Sequence, residues 1–308
     1  MPEITEVLVT SHYLLSRIKN RYISNVKILS GRYTHQKIEG LNIFEKNLPA
    51  KIKDIGTKGK LLWFVLENSL KETIYLMCNF GLTGEWAFEK KNSARVRFKI
   101  INKDSDKKYN LYFIDDRNFG ILMFTNNKLI FEDRLNKLAR DYMKNPYTNE
   151  EFIKEFSNFI NNKPNNSNKI LVKFLMDQNK NETIGCGLGN YLTAEIMYEA
   201  KLSPYRTLGS LTKKELEKLN ESIKKIIKIS YYYNKTGYME RLEEYIDKHK
   251  EQIKKGKFPD YFSDIKIKEN EEFEFKVYQQ KTDNLGNKVT ADKIIPGRTT
   301  YWIPNIQK

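Results

Sequence analysis

The sequence predicts an α+β chain: an N-terminal β-sandwich packed on an N-terminal helix, then a helical domain, then a β-hairpin. Three observations carry this. Apolar residues at Ile4, Val7, Leu8, Leu14, Leu15 and Ile18 recur at the helical period. In "ARVRFKI", Val96, Phe98 and Ile100 alternate with Arg95, Arg97 and Lys99, the period of two that buries one face of a strand and wets the other. From about residue 130 the pattern turns helical, and "DNLGN" then separates strand-like runs near the end.

The first helix begins almost at the chain start, which puts Pro2 near its first turn and Glu3 inside it, both residue types suited to a helix N-terminus. Residues 22–127 read as strands, the clearest being "ARVRFKI", "KLLWFVLE", "TIYLMCNF", "NLYFIDD" and "GILMF", with "NKDSDKKYN" as a hairpin loop. Strands without intervening helices argue a sandwich. In "DRLNKLARDYM", Leu135, Leu138 and Tyr142 lie at helical spacing. Thr148 and Glu151 fit a capping box opening "EFIKEFSNFI", and Thr212 and Glu215 fit another opening "TKKELEKLNESIKKIIKISYYY". The polar stretch "NNKPNNSNK" is a loop; "ILVKFLMDQ" and "NYLTAEIMYEA" are helices. "EFEFKVYQQ", "KVTADKII" and "RTTYWIP" are strands of a small terminal module. The expected divisions are 1–130, 131–272 and 273–308.

The chain has 308 residues, enough for separate cores. Its formal net charge is +15, with 19 Tyr and 17 Phe. Charge combined with aromatic surface suits a polyanion, nucleic acid ahead of membrane. The start lacks the apolar core of a signal peptide, and no run of about 18 apolar residues occurs. An intracellular protein of nucleus or cytoplasm, not secreted and with no membrane partner, is expected. Cys78 and Cys186 are too few for a disulfide framework, and His12, His35 and His249 form no cluster with zinc-ligand spacing. No metal and no cofactor are expected.

Five stretches, in order, carry a resemblance that spans essentially the whole chain. They are "MPEITEV", "TKGKLL", the pair "FGLTG" and "DDRNFG", "GLGNYLTAEI", and "ADKIIPGRTTYWIPNIQK". Together they resemble the formamidopyrimidine-DNA glycosylase and endonuclease VIII family of base-excision repair enzymes. The tail and the "GKLLW" strand look closest to endonuclease VIII-like members of eukaryotes and giant viruses.

The chemistry suits the opening residues. Initiator methionine is normally trimmed before proline, which would leave Pro2 with a free secondary amine. An α-amino group titrates near 8, well below lysine, so more of it is nucleophilic at neutral pH. The resemblance implies that Pro2 attacks C1′ of a damaged nucleoside and that Glu3 shuttles protons at the ring oxygen and C2′. It implies that Lys60 assists near the lesion or grips a phosphate. It further implies DNA contacts by Glu6, by Asn190 at the start of a helix–two-turn–helix element, and by Arg298 at a finger tip. Leu82, Arg117 and Phe119 match loops that fill the void left by a flipped base.

Two departures stand out. The family's finger commonly uses four cysteines, and residues 271–308 contain none. The hairpin is therefore expected to hold by strand pairing and packing of Val277, Ile294, Tyr301 and Trp302, as a "zincless finger". Ile4 and Thr5 also differ from the family's usual start. The implied activity is a bifunctional glycosylase and abasic-site lyase, mainly on oxidised pyrimidines and also on hydantoins and formamidopyrimidines. It would act as a monomer on DNA with oxidised bases or abasic sites. A catalytically silent DNA-binding relative is the alternative, and an unrelated RNA-binding protein would leave Pro2 and Glu3 unexplained.

Overall fold

In the computed structural model the chain divides into two compact units, Met1–Asn136 and Lys137–Lys308. The structure describes residues 2–103, 105–267 and 272–308.

The first unit opens with α1 (Ile4–Ile18). Eight strands follow: β1 (Tyr22–Ile28), β2 (Ala50–Lys58), β3 (Leu61–Glu67), β4 (Thr73–Asn79), β5 (Glu85–Ala87), β6 (Ala94–Asn102), β7 (Ser105–Ile114) and β8 (Ile121–Thr125). Their hydrogen bonds make one antiparallel sheet in the order β5-β7-β6-β1-β2-β3-β4-β8. Bulges in the β1–β6 and β2–β3 pairings bend it. The bend brings distant strands face to face: Phe98 of β6 lies 6.4 Å from Phe124 of β8, and Phe64 of β3 lies 5.1 Å from Trp86 of β5. These buried rings are the filling of a sandwich. α1 packs on β2 and β3.

Three elements differ from expectation here. Most of "NKDSDKKYN" is strand, because β7 pairs with β6 from Ser105 onward; Asp104 lies outside the described residues. The strand region also holds α2 (Leu41–Lys46), whose Phe44 stacks on Phe124 at 4.4 Å. Finally, α3 spans Lys128–Asn136 and stops seven residues before the end of "DRLNKLARDYM".

In the second unit, that remainder forms β9 (Arg140–Asp141), parallel to β10 (Gly185–Cys186). The Asp141 carboxylate accepts from the N–H groups of Met143 and Lys144, a local turn that competes with a helix. The helices are α4 (Asn149–Asn162), α5 (Leu171–Met176), α6 (Asn190–Ala200), α7 (Lys213–Tyr233) and α8 (Glu243–Lys254). Both capping boxes form as expected, Thr148 with Glu151 and Thr212 with Glu215. α4 and α6 pack on α7 around Phe152, Phe156, Phe174, Leu192, Leu219 and Ile223. α8 was not legible. It buries His249 against the Tyr231 hydroxyl at 2.8 Å, and burial pushes that imidazole down to about 4, so it stays neutral.

The terminal hairpin pairs β11 (Thr290–Asp292) with β12 (Thr300–Trp302). "EFEFKVYQQ" is not a strand. The N–H groups of Lys276, Val277 and Tyr278 go to the Glu195 carboxylate at 3.1, 3.0 and 2.9 Å, which takes the place of a ladder. No helix among the described residues is long and apolar enough to cross a membrane.

Candidate functional site

In the first unit, Glu3 is the N-cap of α1 and Pro2 stands just before it, one position further out than the sequence implied. Glu3 and Glu6 form a reciprocal capping box, in which the Glu6 carboxylate accepts from the Glu3 N–H at 2.8 Å. The same Glu6 oxygen accepts from the Thr5 hydroxyl at 3.2 Å. Glu3 is 1% exposed and Glu6 2%, and residues 2–12 are buried throughout. Glu6 thus supports the backbone of the Pro2–Glu3 start, with its carboxylate buried against it. Met1 lies outside the described residues. Lys60 is half-buried in the β2–β3 turn, where Gly59 has φ +53°.

Leu82, Arg117 and Phe119 lie on two loops of the same unit that are pinned together. Gly81 has φ +61°, and a Cβ there would come within 2.6 Å of the Phe119 carbonyl carbon, so the approach requires glycine. Asp115, 1% exposed, receives the Thr83 hydroxyl at 2.5 Å and the Gly120 N–H at 2.6 Å. The Arg117 N–H donates to Thr83 Oγ1 at 3.1 Å. Arg32 and the Tyr33 hydroxyl both donate to the Gly120 carbonyl, at 2.8 and 3.0 Å. On this support Leu82 is half-buried, Arg117 is exposed and Phe119 is 56% exposed. A phenyl ring so exposed on a rigid loop is available to a partner. Asp115 and Thr83 were missed as supports, although both lie inside the quoted motifs.

In the second unit the N-cap of α6 is Gly189, and Asn190 is the first helical residue. Gly187 has φ +118°. Gln178, which follows α5, clamps this turn: its Oε1 accepts from the Gly187 N–H at 2.7 Å and its Nε2 donates to the Leu188 carbonyl at 3.1 Å. Sequence reasoning missed Gln178, which looked like a helix end. The Asn190 side-chain amide donates to the Thr299 carbonyl at 2.9 Å. Thr299 follows Arg298, so residues far apart in sequence are joined. Arg298 is half-buried and closes a turn with its N–H on the Ile295 carbonyl at 3.0 Å, where Gly297 has φ +73°.

The terminal module contains no cysteine and packs through apolar residues. Val277, Val289 and Ile303 are buried with Ala194 of α6, and Tyr301 packs against them. Ile294 does not join this cluster and stays partly exposed, a correction to its expected packing role. Trp302 donates from Nε1 to Asp292 at 2.8 Å, and the Tyr205 hydroxyl donates to the same oxygen at 2.9 Å. Asp283 accepts from the N–H groups of Leu285 and Asn287 and from the Tyr198 hydroxyl. Burial raises the Glu195 carboxyl above its ordinary value, against three backbone donors that pull it down. Among the described residues no group of three or more His, Cys, Asp or Glu could hold a metal ion.

Two family models match: the formamidopyrimidine-DNA glycosylase N-terminal domain over residues 1–122 and its C-terminal domain over residues 263–308. Together they take in more than half of the chain. The chain belongs to the formamidopyrimidine-DNA glycosylase family. The members of this family are glycosylases of DNA repair. The formamidopyrimidine-DNA glycosylase of Prochlorococcus marinus strain SARG is 26% identical over 315 residues, covering 100% of both chains. That of the Wolbachia of Brugia malayi is 27% identical over 224 residues, 73% of this chain and 76% of its own. The fold matches the Lactococcus lactis glycosylase bound to DNA containing an abasic site, with a TM-score of 0.69 at 18% identity and 99% of both chains covered. It also matches the Thermus thermophilus glycosylase, with a TM-score of 0.70 at 20% identity over 99% of this chain and 98% of that one. Pro2, Glu3, Lys60, Leu82, Arg117 and Phe119 fall within the N-terminal match and Arg298 within the C-terminal one, while Asn190 falls within neither.

Proposed function

We propose that the chain is a bifunctional DNA glycosylase and abasic-site lyase of base-excision repair. It acts on oxidised bases, mainly pyrimidines, with hydantoins and formamidopyrimidines beside them, on the endonuclease VIII-like side of the family. The observation that carries this reading is the buried helix start, where Glu6 fixes the backbone of Glu3 next to Pro2. Once Met1 is removed, the Pro2 nitrogen attacks C1′ and the base leaves with the electrons of the glycosidic bond. Glu3 donates a proton to the ring oxygen as the sugar opens to an iminium. A secondary amine gives an iminium that cannot lose a nitrogen proton, so it remains an electron sink. Loss of a C2′ proton then expels the 3′ phosphate, and a further elimination expels the 5′ phosphate.

The other roles follow the same reading. Lys60 assists near the lesion; Asn190 and Arg298 hold phosphates; Leu82, Arg117 and Phe119 fill the void left by the flipped base. The working divisions are a catalytic part at 1–130, a helical part at 131–272 and a zincless finger at 273–308. The protein acts as an intracellular monomer without a cofactor.

Borohydride reduction of the mature protein on abasic-site DNA tests the reading. The expected result is a covalent adduct on the peptide that begins with Pro2. An adduct on Lys60, or none at all, overturns it. A tag fused ahead of Pro2 turns the amine into an amide and is expected to abolish activity.

A further inference from the structure

The C-terminal end of α1 carries a second basic feature. A cleft of about 370 Å³ opens there, lined by Ser16, Arg17, Ile18, Arg21, Phe88 and Tyr109. Arg17 lies in the last turn of α1 and Arg21 just beyond the helix end, and both rest on aromatic rings. The Arg21 guanidinium sits 4.7 Å from the centre of the Tyr109 ring, and that of Arg17 sits 5.1 Å from Tyr13 and 5.9 Å from Phe88. Tyr13 and Phe88 pack edge to face at 6.0 Å. Arg21 is held further by its Nε donating to the Arg17 carbonyl at 2.8 Å. Neither guanidinium meets a carboxylate among the described residues, and no lining residue is acidic.

Stacking fixes a guanidinium plane while leaving its edge donors free, so less freedom is lost when an anion binds. Two such forks in one concave site suit an oxyanion with several acceptors, which is the geometry of phosphate. Tyr109 is 37% exposed and offers a ring edge to a neighbouring planar group. At about 1.5 Å per residue, α1 separates this cleft from Glu3 by about 20 Å. The cleft is thus distinct from the helix start to which catalysis was assigned.

We propose that this cleft is a nucleotide-binding site, with Arg17 and Arg21 gripping the phosphate and the base lying beside Tyr109. The nucleotide can be free or a unit of a single strand, and the experiment separates the two. Calorimetric titration at low salt would use thymidine monophosphate, thymidine, inorganic phosphate and a thymidine tetranucleotide as probes. Thymidine monophosphate or the tetranucleotide should bind saturably, one per chain, with thymidine and inorganic phosphate far weaker. Tighter monophosphate binding assigns a free nucleotide, and tighter tetranucleotide binding assigns a strand. The double variant R17Q/R21Q should weaken binding roughly tenfold or more, as expected for lost charge-assisted hydrogen bonds. R17K/R21K, which keeps charge but not the planar fork, should recover only part of it. Its excision rate on damaged duplex should match that of the unsubstituted protein. Equal binding by R17Q/R21Q and the unsubstituted protein, inorganic phosphate binding as tightly as the nucleotide, or no saturable binding of either nucleotide probe would overturn the proposal.

Discussion

Each unit has a buried carboxylate that ties its backbone together, and the two work at different range. Asp115 ties together loops within one sheet, reaching Thr83 and Gly120. Glu195 reaches from α6 to Lys276, Val277 and Tyr278, more than eighty residues on. The sheet would survive loss of the first, because its strands are paired on both sides of the loops. The segment at 272–280 has no ladder, so loss of the second removes its main polar anchor. A loop pair set between paired strands is supported many times over, whereas the segment at 272–280 depends on the Glu195 contacts and the cluster around Val277.

The largest expected effect follows from that contrast. Glu195→Ala would leave three backbone donors without an acceptor, at about 1–3 kcal/mol for each one that stays buried. Hydrogen exchange at Lys276–Tyr278 should accelerate and proteolysis should enter the segment. Unchanged protection of those amides would show that the apolar cluster alone holds the finger.

Next come Arg298 and Asn190. Arg298→Ala should weaken DNA binding and make its salt dependence shallower by about one phosphate contact. Asn190→Ala removes no charge and should weaken binding with little change in that slope. Since Asn190 is bonded to Thr299, the double variant should lose less than the two single losses combined. Equal salt slopes for Arg298→Ala and the unsubstituted protein would separate Arg298 from any phosphate.

Asp115→Ala should cost about 1–3 kcal/mol through the stranded Gly120 donor, read as a lower melting temperature. Excision should slow as the Phe119 loop loosens, while the sheet remains by circular dichroism. A collapse as severe as that of Glu195→Ala would erase the contrast between the two carboxylates.

The smallest expected effect is at Thr5. Removing its hydroxyl in Thr5→Val loosens Glu6 by one hydrogen bond, worth about 1 kcal/mol. The expected change is a lower kcat with KM held and a displaced pH profile, restored in Thr5→Ser. An unaltered profile would leave Thr5 as a plain first-turn residue.

Much of this was legible because it is local. Helical and alternating periods placed α1, β6, α6 and α7, and the capping boxes marked the starts of α4 and α7. Pro2, Glu3, Lys60, Asn190 and Arg298 could be named because each sits in a short stretch that resembles the family's motifs. α8 and Gln178 were not legible. α8 is polar along most of its length, and Gln178 matters only through Gly187 and Leu188, which the fold brings to it.

By itself, then, the sequence determined the α+β order, the basic character and the motifs that resemble the family, because periodicity and residue type act over a few positions. Tertiary structure alone decided that the Glu6 carboxylate is buried on the helix start, that the Leu82 and Phe119 loops are pinned at Asp115, and that Asn190 is bonded beside Arg298. It also decided that Glu195 takes the place of a strand partner. The physical reason is common to all four: a buried polar group must find a partner. Which partner it finds depends on what folding brings within about 3 Å, and no local pattern records that.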